Sequence, residues 1–494
     1  MHFNSYTFIV FFVIVLALYY QSFSWNNRKI ILLIASYLFY AAWNPPFVIL
    51  LWISTLVDWF ISKRIYKKKN RENRKWLLSI SLIVNLGLLV YFKYSGFLLE
   101  SFENLLAVFN IQFHAAIPDI ILPVGISFYT FQTLSYTLDI YKGKAKPWDT
   151  FLDYALYVTF FPQLVAGPIV RSSEFLPQCK IPKKFNADQL GWGAALMGLG
   201  MFQKIIIADS FLAPIVEQIY DNQMVPDTIS AWAGTLAFSG QIFNDFAGYS
   251  TCAIGVALCL GFKLPENFNY PYAALNLSEF WKRWHISLST WMRDYLFLPV
   301  AYSIIRSKII PKKLKDKPEV WGYLSGIFIT MFIGGLWHGA GWTFVLWGIL
   351  HGIYLIIGQI TRKNRKKIKK ILKLSKYEGI NIIIKIITTF TLVSFAWVFF
   401  RSHSFQQALT ILAAMFGLVS DRNVELFNLS RTDIITSFFI VFIILCIHWL
   451  MRNRQLKDIV ENMHWMVHSF ILSVMLISII FLSGENNAFI YFQF

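Results

Sequence analysis

Two histidines, His285 and His338, each follow a tryptophan and stand beside apolar runs long enough to cross a bilayer. The first sits in Trp281-Lys282-Arg283-Trp284-His285-Ile286-Ser287-Leu288-Ser289, which continues through Arg293-Asp294-Tyr295; the second sits in Gly334-Gly335-Leu336-Trp337-His338-Gly339-Ala340. An ionisable side chain at membrane depth is costly enough to be read as functional by default. A neutral imidazole can take a proton from a hydroxyl near neutral pH, which is what a general base must do. The glycines beside His338 let a ligand or a second helix approach the backbone, so catalysis and a tight helix contact are both open readings. For His285 the bland alternative is a core or interfacial histidine whose nitrogens are simply bonded.

Other polar groups are set in equally apolar surroundings. Asp245 and Tyr249 are four residues apart and share a face if that segment is helical; a buried acid there needs a partner, from a hydroxyl or an arginine. Gln163 lies in a run interrupted by Pro162, Gly167 and Pro168, which fits either a segment lining a cavity or a proline kink. If residues 279–298 form one helix, Trp281, Trp284 and Leu288 fall on one stripe, with His285 beside it and Trp291 extending the aromatic flank. Such a helix, rich in Trp, Arg and Lys, suits the cytoplasmic membrane boundary.

The rest of the chain must position these groups within lipid. Of 494 residues 56% are hydrophobic and only 15% charged, against about 25% charged in a soluble domain. The net charge of +18 is concentrated between apolar runs: eight basic residues over 63–75, six over 306–317 and nine over 362–376. Basic clusters beside spans mark cytoplasmic loops and argue against nucleic acid as a partner. The four cysteines have neither metal-ligand nor disulfide spacing, and no metal is expected. There is no Gly-x-Ser-x-Gly elbow and no phosphate-cradling loop. Lys282, Arg283 and Arg293 suit the phosphates of a ligand, and Lys282 and Arg283 equally the lipid headgroups.

Arg28 and Lys29 follow the first apolar run, 6–20, instead of preceding it, so it reads as an uncleaved helix that starts outside. Runs at 30–43 and 47–61 lead into the first basic cluster, and 76–92 leads out to a polar connection bearing Glu100, Glu103, Asn104 and His114. Interrupted segments at 122–132 and 160–169 are expected in the interior. A helix at 190–207 and runs at 321–333, 380–400, 434–450 and 466–482 complete the pattern, leaving Glu485-Asn486-Asn487 and the C-terminus outside. His351 reads as packing, and His448, His464 and His468 as interfacial. The expectation is an all-α polytopic membrane protein, one domain over residues 1–494, with about eleven or more helices.

The segments around Gln163 to Pro168, Asp245 to Ser250, Phe280 to Tyr295 and Gly335 to Gly341, with the terminal Phe489-Ile490-Tyr491-Phe492-Gln493-Phe494, together resemble the membrane-bound O-acyltransferase family. The bacterial branch that acetylates alginate and peptidoglycan is the nearest likeness, and its D-alanyl-transferring cousin the next. The resemblance implies a ring of tilted helices, with re-entrant and interfacial ones, around a central funnel or tunnel. It implies that His338 is catalytic and that His285 holds the family's second polar position, orienting or polarising donor or acceptor. Trp284, Trp337, Arg293, Asp294, Tyr295, Asp245, Tyr249 and Gln163 are the further candidates for lining the substrate path. It also implies an acyl thioester such as acetyl-CoA as donor, no tightly bound cofactor, and a periplasmic serine hydrolase-like partner. The final acceptor would be a polysaccharide or peptidoglycan, and the location a bacterial inner membrane.

Two departures bear on the acceptor polymer. Thr251 follows Tyr249-Ser250 where relatives carry an acid, and Val300-Ala301-Tyr302-Ser303 replaces an expected glycine pair. The competing class is a transporter or flippase, which shares broken helices and intramembrane charges, although no internal repeat is evident.

Overall fold

The computed structural model describes residues 3–114, 120–307, 317–371, 378–419, 426–482 and 489. The polar tail at 485–487, most of the terminal aromatic motif and much of the second basic cluster lie outside them. Where the backbone is apolar on every side its N–H and C=O groups have no water to bond, so helices close their own hydrogen bonds. Among the described residues eight helices are long and apolar enough to cross a membrane, and Tyr6–Tyr19, Phe405–Met415 and Trp465–Phe481 are shorter apolar helices. Tyr6–Tyr19 has 14 residues, about 21 Å of helix against the roughly 30 Å of a hydrocarbon core.

The chain divides into two compact units. The first comprises Met1–Met197 with Tyr249–Pro265. Its helices Val48–Lys67, Arg71–Leu89 and Ile126–Tyr141 bury one carboxylate, Asp58, which accepts hydrogen bonds from Ser81 and from the Asn85 amide at 3.0 Å. Lys29 bonds Asp153 at 2.5 Å, and the Trp148 indole donates to the same carboxylate. The two interrupted segments expected in the interior meet here: Gly125, with φ +76°, lies against the carbonyl of Leu164 and the backbone of Val165. A side chain at Gly125 would strain the backbone and overlap that carbonyl. The expected polar connection after 76–92 is instead helical, because Arg71–Leu89 runs through a wide turn at Val90–Tyr94 into Ser95–Val108. Glu100, Glu103 and Asn104 are accommodated on its surface.

The second unit comprises Gly198–Gly248 with Glu266–Phe494. Its core is aromatic, with Trp284, Trp347, Trp397, Tyr272, Phe280 and Phe400 all buried. A short parallel strand pair joins Val225–Pro226 to Leu426–Phe427. Helices Pro318–His338 and Trp342–Ile360 pack closely because Gly335 and Gly348 lie in direct backbone contact. A methyl on Gly348 would overlap the Met331 carbonyl oxygen, and one on Gly339 would overlap the Phe344 ring. Gly334 has open space around it. Gly335 and Gly339, on either side of His338, therefore serve the contact between these two helices, and Gly334 does not.

Lys204, Asp209 and Asp245 form a charged cluster in this unit: Lys204 Nζ lies 2.8 Å from Asp209 Oδ1 and also pairs with Asp245 Oδ1. All three residues are buried. Lys204 and Asp209 stand on Phe202–Leu212, a widened helical segment of the kind that places side chains unusually. Gly248 rests on the Gly200 carbonyl and the Lys204 amide, which brings the Asp245 face of its helix close enough for the ion pair.

Two stability predictions follow from this packing. Gly348→Ala and Gly335→Ala should lower the thermal midpoint of the detergent-solubilised protein by several degrees, while Gly334→Ala should leave it unchanged or slightly higher; equal effects at all three would refute the contact. Lys204→Met leaves two carboxylates facing each other in a buried setting, and breaking such a pair costs about 3–5 kcal/mol. Its midpoint should fall further than that of Asp209→Asn, as measured by thermal unfolding of purified protein.

Candidate active site

The run expected to be one helix over 279–298 is broken. Leu277–Arg283 ends at Trp284, His285 takes a left-handed conformation with φ 42°, and Ile286–Met292 begins directly after it. A left-handed non-glycine residue needs outside support. Asn267 supplies it: its backbone carbonyl accepts the Ile286 N–H at 2.8 Å, and its side-chain Oδ1 accepts the Ser287 N–H at 3.3 Å. Farther along the same strip, the Asn269 N–H donates to the Arg283 carbonyl at 2.9 Å. The segment 267–269 thus grips the chain on both sides of His285. Asn267 was not among the candidates from sequence, and its spacing of 18 residues from His285 carries no local signal.

His285 is fully buried. Its Nδ1 lies 3.0 Å from Asn267 Oδ1, and Ser287 Oγ donates to the same oxygen at 2.9 Å. Phe246 meets the ring edge-on at 4.6 Å between centroids, and Phe268 lies 6.4 Å away. Burial pushes the imidazole down to about 3, so the ring is neutral at physiological pH.

His338 is the last residue of Pro318–His338 and is 3% exposed. Its ring lies 6.4 Å from that of His285, 5.0 Å from Trp337, 4.9 Å from Trp347 and 5.5 Å from Phe400. Trp337 is also 5.9 Å from His285. The helix end and the broken helix therefore bring the two imidazoles together inside an aromatic wall. Trp284 belongs to the same wall, 5.1 Å from Phe268 and 5.0 Å from Trp397. Two imidazoles in so buried a setting can pass and hold protons without competition from bulk water.

The remaining candidates are placed differently. Asp245 is held by Lys204, and its neighbour Phe246 is the one that touches His285. Tyr249 stacks on Phe3 at 4.7 Å within the first unit. Gln163, also in the first unit, donates from Nε2 to the Tyr157 carbonyl at 2.6 Å. Arg293 and Asp294 pair with each other at 2.7 Å, and Tyr295 packs 5.1 Å from Trp291.

Of the three basic residues matched to donor phosphates, Arg283 is already engaged. It donates to Glu279 at 3.0 Å and to the Asn269 and Arg452 carbonyls, while Arg452 reaches the same Glu279 oxygen at 2.7 Å. Burial alone would raise the Glu279 carboxyl, but hydrogen bonds from Arg452, Leu275 and Arg283 hold it below the usual carboxylate range. Lys282 and Arg293 remain exposed.

Two histidines read as peripheral differ from expectation or add to it. His448 is buried within the protein; its Nδ1 accepts the Tyr272 N–H at 3.2 Å and its ring packs 4.5 Å from Phe243. His351 is fully buried between Phe280, Trp281 and Trp347, and neither ring nitrogen has a hydrogen-bond partner among the described residues.

Residues 150–395 match the model of the family described as MBOAT, membrane-bound O-acyltransferase. The chain is 36% identical to a probable alginate O-acetylase AlgI of Pseudomonas aeruginosa, over 84% of this chain and 75% of that protein. It is 33% identical to a peptidoglycan O-acetyltransferase of Helicobacter pylori, over 94% of this chain and 91% of that protein. A teichoic acid D-alanyltransferase of Bacillus subtilis is 29% identical over 57% of this chain and 69% of its own length. With this extent of likeness and a polytopic helical architecture, the chain belongs to the membrane-bound O-acyltransferase family and is an acyltransferase of that type.

Proposed function

We propose that the protein moves an acetyl group from a cytoplasmic thioester donor, such as acetyl-CoA, toward a cell-surface polysaccharide or peptidoglycan. The observation that carries this reading is the close pair His285 and His338, buried in one aromatic wall, in a chain similar over most of its length to an alginate O-acetylase and a peptidoglycan O-acetyltransferase. The acetyl unit is favoured over D-alanyl because those two likenesses cover more of the chain than the D-alanyltransferase does.

In the proposed reaction a hydroxyl oxygen attacks the thioester carbonyl, the new C–O bond forms, and the C–S bond breaks. His338 takes the hydroxyl proton as the attack proceeds and returns it to the departing sulfur, so no net proton is gained or lost. Lys282, exposed, is the residue best placed to meet donor phosphates; Arg293 is exposed but paired with Asp294, and Arg283 is occupied by Glu279. The chain has no nucleophile elbow, so the hydroxyl comes from another molecule; we assign it to a periplasmic serine hydrolase-like partner, across a bacterial inner membrane.

The test is transfer of label from acetyl-CoA by purified protein in liposomes. Wild type should turn over donor, and His338→Ala should lose at least about 100-fold, the usual contribution of a positioned base. Equal turnover by the two would remove His338 from the chemistry. Turnover of a D-alanyl thioester in place of the acetyl donor would move the protein to the other branch, and transport of an unmodified polymer that survives the substitution would support the transporter class.

A further inference from the structure

We infer that Asn267 fixes the ring proton of His285 on Nδ1, so that His285 works through Nε2 as a hydrogen-bond acceptor. A group that bonds it there must bring a hydrogen, which a hydroxyl or thiol of the reactants does and the thioester carbonyl oxygen does not. This rests on the acyl-transfer reading above and assigns Asn267 as a positioning residue for it.

The argument turns on one atom. Asn267 Oδ1 faces the backbone N–H of Ser287 at 3.3 Å as well as the Ser287 hydroxyl at 2.9 Å. A backbone N–H can only donate, so the amide atom facing it must be the oxygen; the flipped amide would set N–H against N–H. That same oxygen lies 3.0 Å from His285 Nδ1. Because a carbonyl oxygen cannot donate, the hydrogen of this bond belongs to Nδ1. The ring is buried and neutral, so it carries one proton only, and Nε2 keeps its lone pair.

The backbone holds this arrangement in place. The Asn267 carbonyl takes the Ile286 N–H at 2.8 Å, and the left-handed turn at His285 aims the ring at the amide. In water a neutral imidazole prefers its proton on the other nitrogen, so the protein is imposing the less common form. An acceptor nitrogen suits the O–H of an incoming hydroxyl or the S–H of a departing thiol. It cannot polarise a carbonyl oxygen, which needs a donor. This narrows the role that the family likeness left open for His285.

The test reads the proton directly. Protein labelled with [15N]histidine is examined in bilayers by magic-angle-spinning NMR, and His285→Gln identifies the His285 signals by their loss. Wild type should show a neutral ring protonated at Nδ1 and bare at Nε2. Asn267→Leu should move the proton to Nε2 or give a mixture, and lower kcat by about ten-fold or more, equivalent to roughly 1.4 kcal/mol, with KM for the donor little changed. Asn267→Asp still accepts from Nδ1 and from the Ser287 N–H, so it should keep the wild-type tautomer and lose less activity than the leucine variant. A wild-type ring protonated at Nε2 overturns the inference, and so does an Asn267→Leu protein with unchanged tautomer and kcat. The wild-type spectrum decides the matter even where the leucine variant fails to fold. Full activity in His338→Ala would instead remove His338 from the chemistry, and absence of turnover of any acyl thioester by wild type would sink the acyl-transfer reading; both leave the tautomer result standing.

Discussion

A polar atom at membrane depth has only the protein to bond with, and this constraint shapes the chain from end to end. Lys204 lies between two carboxylates, Asp58 accepts from a serine and an amide, and Tyr272 donates its hydroxyl to the Ser239 carbonyl at 2.5 Å. Such contacts add little net stability, because their desolvation offsets the attraction. Their importance lies in what happens when one partner is missing, since a lone buried charge is far more costly than a satisfied one. They therefore fix which helix faces can meet, and the glycines at 335, 348 and 248 then allow backbones to approach closely enough for the bonds to form.

Much of the architecture was legible because apolar run length and basic flanks report directly on spanning helices. The two interrupted segments at 122–132 and 160–169 were also legible, since proline and glycine act locally on the backbone, and the pair does pack together in the first unit. What failed to show was what depends on partners remote in sequence. No proline or glycine marks the break between Trp284 and His285; it is held open by Asn267. Asp245 announced its need for a partner but not that Lys204, on a widened helical turn, would provide it. Residues 95–108 looked like a connection because Glu100, Glu103 and Asn104 are polar, yet a helix carries such residues on an outward face without difficulty.

The buried histidines show why residue type alone cannot assign chemistry. His448 accepts the Tyr272 backbone N–H at Nδ1, so by the reasoning applied to His285 its proton sits on Nε2. His285 faces a carbonyl oxygen at the same atom and takes the opposite form. His351 has no hydrogen-bond partner among the described residues and lies against aromatic rings, stacked 9° from parallel on Phe280. All three are sealed and neighbour tryptophan or tyrosine, and a sequence scan treats them alike. The difference is the polarity of a single partner atom: where it is a donor the ring is held in its ordinary form, and where it is an oxygen anchored by a second N–H the far nitrogen is left with a lone pair. The ring centres of His285 and His338 are 6.4 Å apart, so on the proposed acyl-transfer reading the tautomer of His285, more than its presence, would decide which reacting groups it can bond beside His338.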